Sequence, residues 1–278
     1  VIRLLYIELI KLFSSKRTYI TFVIAIILML IINIGIITDG EEMFAFVLQS
    51  LTDYFYLEGN VINGYLIAYL SLNTLWVHIP ILIIIVTTYI FSSEFEYGTI
   101  KVLLTQPVSR TQVILSKIFS MIIFNVIFMI LVALFALYPS ILLFGSGDVM
   151  VFIDGIQFIL EDSFMKRFLG CVLFSAIAML AFSSLSMFFA LWFRNTLTAI
   201  LVSFGILIVL TLFQTFIFGV FSSWQPFLFT YHISKWQLFF MSEIPKQSIL
   251  NSTLFLIGMS FVFMLLSIIK FNRMRISE

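Results

Sequence analysis

The chain has 278 residues, of which 62% are hydrophobic, 17% aromatic and 10% charged, and its formal net charge is +1. Soluble domains carry about 25% charged residues. This composition therefore excludes an ordinary soluble enzyme, a disordered chain and a nucleic-acid binder, which needs basic patches. The single Cys171 excludes an internal disulfide and a cysteine-based metal site.

Long stretches without charged residues predict six membrane-spanning helices. A helix needs about 20 apolar residues to cross a hydrocarbon core of about 30 Å. The predicted spans lie near residues 18–37, 65–91, 118–144, 168–193, 197–221 and 249–270. The expected fold class is therefore an all-α polytopic membrane protein, with residues 1–278 forming a single transmembrane domain.

The basic residues predict the orientation of these spans. Six spans place both termini on one side of the membrane. That side receives eleven of the fifteen basic residues, and the other side receives Lys166, Arg167, Lys235 and Lys246. Because cytoplasmic loops are enriched in Lys and Arg, both termini are expected in the cytoplasm.

The first seventeen residues have the spacing of an amphipathic helix. Arg3, Glu8 and Lys11 fall away from its apolar face, which is formed by Leu4, Leu5, Leu9, Leu12 and Phe13. We interpret this segment as an interfacial helix on the inner leaflet. The alternative is a cytoplasmic extension of the first span.

The remaining segments outside the spans lie on the predicted outer side. Apolar residues in 38–64 have helical spacing, from Phe44 to Phe55, and residues 145–167 resemble them, so both are predicted to form small cap helices. Residues 222–248 are too apolar for a free loop and carry tryptophan and proline. They favour a re-entrant pair of short helices, with a surface-lying loop as the alternative.

The link over residues 92–117 reads SSEFEYGTIKVLLTQPVSRTQVILSK. Gly98 is placed to end the second spanning helix in a left-handed cap, and Thr99 to cap a short helix that Pro107 stops. Ser109 and Gln112 form a capping box that opens the third span. The pattern predicts a short transverse helix held stiffly between two spans, although a plain structured loop would also fit.

This link resembles the E-x-x-x-G-T…L-L-x-x-P-V-S-R…K pattern of permease subunits of ABC type-2 exporters, which have the type V fold. The matching residues are Glu94, Gly98, Thr99, Leu103, Leu104, Pro107, Val108, Ser109, Arg110 and Lys117. Six spans, an N-terminal interfacial helix and a re-entrant segment before the last span also match the family, so the resemblance covers nearly the whole chain.

The resemblance implies a coupling helix at about residues 98–107 that docks on a separate ATPase subunit. The implied ATPase contacts are Glu94, Glu96, Gly98, Thr99, Lys101, Leu103, Leu104, Pro107 and Arg110. In this family two permeases pair with two ATPases, which bind ATP and Mg, and this chain is expected to bind no cofactor itself. The resemblance favours the small bacterial exporters of bacitracin-type and lantibiotic-type peptides and drugs.

The chain lacks the motifs of a catalytic subunit. No glycine is followed by lysine, so the phosphate-binding loop of an ATPase is absent, as is the zinc-protease motif H-E-x-x-H. No metal site is expected. The candidate substrate-path residues are Asn33, Asn73, His78, Phe213 and Gln214, although helix packing explains the three amides better than substrate contact does. For His78 a hydrogen-bonded position near the Pro80 kink is the alternative.

Three functions remain open from the sequence. An exporter permease for an amphipathic substrate requires an ATPase partner, with either a second copy or a sister permease. A non-transporting sensor, immunity or assembly protein requires no such partner. A proton-coupled carrier depends on His78, because the predicted spans contain no Asp, Glu, Lys or Arg.

Overall fold

A computed structural model of the chain describes residues 2–52, 61–216 and 222–274. The helices are α1 (Ile2–Ser14), α2 (Lys16–Thr52), α3 (Gly64–Leu75), α4 (His78–Glu96), α5 (Ile100–Thr105), α6 (Arg110–Phe144), α7 (Glu161–Phe193), α8 (Thr196–Phe216), α9 (Phe229–Ile233) and α10 (Lys246–Arg273). Two 3-10 helices cover Ser222–Phe227 and Ser234–Phe240. Two short strands, β1 (Val149–Phe152) and β2 (Ile156–Ile159), pair as an antiparallel hairpin.

Six helices in the described ranges are long and apolar enough to cross a membrane. They are Lys16–Gly40, His78–Glu96, Arg110–Phe144, Glu161–Phe193, Thr196–Gln214 and Lys246–Arg273. The predicted all-α polytopic membrane class is therefore confirmed. The end of the predicted fifth span, residues 217–221, lies outside the described residues.

The second predicted span consists of two helices, α3 and α4, which are separated at Trp76 and Val77. Proline has no N–H to donate to the carbonyl four residues earlier, and its ring clashes with that carbonyl. Pro80 therefore breaks the hydrogen-bond ladder at Trp76, and the chain turns there before α4 begins.

The charges define two ends of the helix bundle. The basic end contains α1, α5 and the facing ends of α4, α6, α7, α8 and α10. The opposite end contains the β-hairpin and residues 222–245. Among the six candidate spans α4 and α7 have the largest shares of buried residues, whereas few residues of α8 and α10 are buried.

The predicted cap helix in residues 145–167 is wrong, because this segment forms the β1–β2 hairpin. Val149 pairs with Ile159 and Phe152 with Ile156, across a three-residue loop. Asp154 and Gly155 adopt positive φ angles of 48° and 114° in that loop. An Asp-Gly pair between apolar, partly β-branched segments is a strong hairpin signal, and it outweighs the helical spacing.

The predicted cap helix in residues 38–64 is not a separate element where the chain is described. Helix α2 runs without a break from the first span to Thr52. Residues 53–60, which include Tyr54 and Phe55 of the predicted apolar face, lie outside the described residues.

Short helices occupy residues 222–240, where the sequence predicted a re-entrant pair. Trp236 is buried and lies with its ring centroid 5.1 Å from that of Trp76 and 5.7 Å from that of Tyr69. His232 Nε2 donates to the Pro226 carbonyl at 2.7 Å, which leaves Nδ1 as the acceptor for Ser252 Oγ at 3.1 Å. The segment is thus fixed to α3 and α10. Its depth in the membrane stays a prediction.

Acidification is expected to weaken the attachment of this segment. Burial lowers the pKa of His232 below its usual 6.5, with a smaller lowering from Lys235 and a partial offset from the Pro226 hydrogen bond. The unfolded state therefore binds more protons as the pH falls through 6.5, and the free energy of unfolding decreases. Thermal unfolding in detergent between pH 7.5 and 5.5 measures this loss. His232→Phe should flatten the pH dependence, whereas His78→Gln, at an exposed histidine, should retain it.

Candidate functional site

Four charged side chains form a closed ring at the basic end of the bundle. Lys11 Nζ lies 2.9 Å from Glu8 Oε1 and 2.8 Å from Glu94 Oε1. Lys117 Nζ lies 3.0 Å from Glu8 Oε2 and 3.2 Å from Glu94 Oε2. Each ammonium group thus contacts both carboxylates. This charge ring joins three helices, because Glu8 and Lys11 belong to α1, Glu94 to α4 and Lys117 to α6.

The charge ring is mostly shielded from water. The side chains of Lys117, Glu8 and Glu94 are 3%, 8% and 11% exposed, whereas that of Lys11 is half exposed. Lys117 also donates to the Ile90 carbonyl at 3.0 Å. A buried charge is stable only when it is paired and hydrogen-bonded. The ring therefore specifies how α1, α4 and α6 pack together.

The pairing also shifts the ionisation of Lys11. Burial alone would lower its pKa, but the carboxylates of Glu8 and Glu94 outweigh this effect and raise the pKa above the usual 10.5. Because the folded-state pKa is raised, the stabilisation is complete at neutral pH and disappears only as the pH rises through that higher value.

The predicted transverse helix is present as α5, between the ends of α4 and α6. Gly98 has a φ of 69°, so the predicted left-handed cap after α4 is confirmed. Ser109 and Gln112 form the predicted capping box at the start of α6. Thr99 occupies the N-cap position of α5, but its side chain makes no capping hydrogen bond, unlike the prediction.

Helix α5 presents one side to the bundle and another to solvent. Ile100 is buried and Leu103 packs against the core, whereas Val102 is 64% exposed. A cavity of about 590 Å³ lies between α5 and α1, and the charge ring contributes to its lining together with Leu12 and Tyr89. The charge ring contains no residue of α5, but it joins α1 to α4 and α6, the two helices that flank α5.

Two further side chains connect this end of the bundle to the remaining spans. The Glu96 carboxylate accepts from Thr196 N at 2.6 Å and from Thr196 Oγ1 at 2.8 Å, which caps the start of α8. Arg110 donates to the carbonyls of Asn272 and Met274, at 3.2 and 2.6 Å, at the end of α10. The helices flanking α5 are therefore tied to α1, α8 and α10.

The predicted ATPase contacts thus separate into two groups. Five are exposed or lie on the exposed side of the link: Gly98, Thr99, Lys101 and Pro107 are exposed, and Arg110 is partly exposed. Glu94 and Leu103 instead contact other parts of the bundle. Glu96 is exposed like the first group, but its carboxylate contacts α8, just as Arg110 contacts α10. The side chain of Leu104 lies outside the described part of the structure.

Glu8 and Lys11 were not predicted as members of the site. It placed Glu8 on the polar face of α1, but Glu8 is buried with Leu12 against α6. The only signal in the sequence was charge complementarity. Glu8 and Lys11 form an i, i+3 pair of opposite charges in α1, and one further acid, Glu94, and one further base, Lys117, lie at the facing ends of the second and third spans.

The predicted substrate-path residues are not gathered in one place. Asn33 is buried and pairs with Ser140 of α6, which fits helix packing. Asn73 is exposed and accepts from Gln237 at 3.0 Å. Gln214 lines a cavity of about 170 Å³ beside the break between α3 and α4.

The other two path residues belong to α4 and α8. His78 is exposed and makes no hydrogen bond to any residue that the structure describes, so the expected bond near Pro80 is absent. Phe213 is partly buried in α8, next to Gln214. Exposed polar groups at mid-span are costly against lipid, so this face of α3 and α4 needs a covering of water or protein.

The fold and the site together define a multi-pass membrane protein with a short helix clamped between two spans at its basic end. The family model described as "ABC-2 family transporter protein" matches residues 3–276. The chain belongs to the ABC-2 transporter family. This family is one of membrane permeases of ABC transporters.

A protein of Bacillus subtilis (strain 168) gives a weaker match. The chain is 23% identical over 189 residues to the uncharacterized protein YhcI. The match covers 66% of this chain and 59% of that protein. The chain thus aligns with somewhat less than two thirds of its relative.

Proposed function

We propose that this chain is the permease of an ATP-driven exporter and that its ATPase docks on α5. The observation that carries the proposal is the position of α5: one side is exposed, and its flanking helices are tied to α1, α8 and α10 by the charge ring, Glu96 and Arg110. A force on α5 is therefore transmitted to most of the bundle.

The proposed orientation places the basic end in the cytoplasm of a bacterium, with both termini on the cytoplasmic side of the plasma membrane. Eleven of the fifteen basic residues belong to this end or to the adjoining terminus. Helix α1 has an exposed apolar side that includes Ile2, Tyr6 and Ile10, which suits a helix lying at the inner membrane surface.

We further propose that two copies, or this chain and a sister permease, enclose the substrate path. Asn73 and His78 are exposed on either side of the break between α3 and α4, and the cavity at Gln214 lies beside that break and α8, in which few residues are buried. A second permease on this face would cover the polar groups and leave a path between the copies.

The proposed transport cycle uses these positions. ATP and Mg bound by two ATPase subunits would draw the two α5 helices together and turn the path outward. The path residues include no Asp, Glu, Lys or Arg, and they include the aromatic Phe213. The proposed cargo is therefore amphipathic, namely a peptide, toxin, antimicrobial or drug.

Co-purification with the co-expressed ATPase tests the docking site. Val102→Asp adds a charge to the exposed side of α5 without disturbing the buried side. At a central interface position it should lower ATPase recovery at least about tenfold. Val102→Ile is the matched control and should retain the ATPase. Full ATPase recovery with Val102→Asp would mean that the ATPase docks elsewhere, and a non-transporting role predicts no ATPase even with the unaltered chain.

A further inference from the structure

A third cavity lies at the opposite end of the bundle, between the first turns of α7 and α10. Its volume is about 530 Å³, within the range of about 300–1,000 Å³ typical of small-molecule sites. Its wall is almost wholly apolar and includes Phe239, Ile244, Ile249 and Leu250. Three cations also line it, namely Lys166, Arg167 and Lys246.

The cations have two different roles. Arg167 donates to the carbonyls of Phe239, Met241 and Ser242, so it fixes the loop that forms one wall of the cavity. Lys166 and Lys246 are exposed and form no ion pair with any acid in the described ranges. Two unpaired ammonium groups at the mouth of an apolar cavity complement a ligand with an anionic head and an apolar tail.

The surface below the cavity continues this amphipathic pattern. Helices α7 and α10 both start at this end and run into the membrane. Along α7, Leu169 and Leu173 follow Lys166 on one exposed face. Along α10, Leu250 and Leu254 follow Lys246 in the same way. Two apolar ridges thus descend from the two lysines.

We propose that this groove binds an anionic phospholipid of the adjacent leaflet, which is the outer leaflet in the proposed orientation. Its phosphate would lie between Lys166 and Lys246, and one acyl chain would lie along the ridges. Three of the four basic residues outside the basic end line this one groove. The fourth, Lys235, stacks over the Tyr231 ring at 4.3 Å and does not line it.

Lipid binding measured by native mass spectrometry on the detergent-purified permease tests this proposal. Dioleoyl phosphatidylglycerol should bind more tightly than dioleoyl phosphatidylcholine, which has the same acyl chains and no net charge. Lys166→Gln with Lys246→Gln should weaken phosphatidylglycerol binding on the order of 25-fold, about fivefold for each lysine, and leave phosphatidylcholine unchanged. Lys235→Gln is the matched control and should change neither lipid.

One further variant and one competition experiment distinguish a lipid site from a simple anion site. Thr253→Trp fills the groove below the lysines and should weaken binding of both lipids. Glycerol phosphate, which has the anionic group without acyl chains, should compete only at concentrations far above those of the lipid. The proposal would be overturned if the unaltered protein bound the two lipids equally, or if the preference for phosphatidylglycerol survived in the double lysine variant. Competition by glycerol phosphate at the concentrations used for the lipid would also overturn it. None of these measurements depends on the ATPase.

Discussion

Lys117→Met is expected to lower the free energy of unfolding by about 3–5 kcal/mol, because it removes one partner from a buried ion pair. Lys117 is 3% exposed and contacts both Glu8 and Glu94. Without it, two buried carboxylates share only the half-exposed Lys11. The melting temperature in detergent and the recovery of monodisperse protein measure the loss. Lys101→Met, at an exposed lysine of α5, is the control and should stay within about 0.5 kcal/mol.

A double variant separates the effect of the charge ring on protein stability from its effect on the stimulation of the ATPase. Lys117→Met combined with Glu94→Gln leaves Glu8 paired with Lys11 and no net buried charge. Most of the lost stability should return, because a buried ion pair replaced by neutral groups is often tolerated. Stimulation of the ATPase by the permease should nevertheless stay low, because the ionic tie between α4 and α6 is gone. If full stimulation returns with the stability, the charge ring serves packing alone.

Gly64→Ala is expected to destabilise the opposite end by at least about 3 kcal/mol. An added Cβ at Gly64 would lie 2.5 Å from the Ser140 carbonyl oxygen and 2.6 Å from Ile141 Cα. Both atoms belong to the backbone of α6, so no side chain can rotate away, and α3 must move from α6. A lowering of the melting temperature by roughly 6–12 °C corresponds to this cost.

The matched control for Gly64 is the same substitution at Gly35 in α2, where an added Cβ meets nothing within 4 Å. Gly35→Ala should maintain or raise the melting temperature, because alanine favours helices. Equal effects at the two positions would contradict the close α3–α6 contact.

The sequence predicted what depends on local chemistry. Uncharged runs indicate spanning helices because the cost of burying charge is large and independent of tertiary detail. The caps at Gly98 and Ser109 were likewise predictable, since they use backbone groups only a few residues away. The Asp154–Gly155 turn is equally local, so the hairpin was also predictable from the sequence.

The candidate site depends on contacts that are distant in the chain. Glu8 and Lys117 are separated by 109 positions, and Glu96 contacts Thr196. Any charged residue near a span end can equally well face the lipid headgroups, so only packing decides which of them pair. The inward position of Glu8 therefore could not be derived from the spacing of α1.

Site-specific crosslinking to the ATPase subunit tests the central claim most directly. A benzophenone attached to a cysteine at Val102 reports on α5, and one at Leu160, which is 68% exposed at the opposite end, is the control. The buried Cys171 does not compete for the label. A crosslinked product with the ATPase from position 102 and none from position 160 is the predicted result. A product from position 160, or none from position 102 in an ATP-hydrolysing complex, would contradict the account.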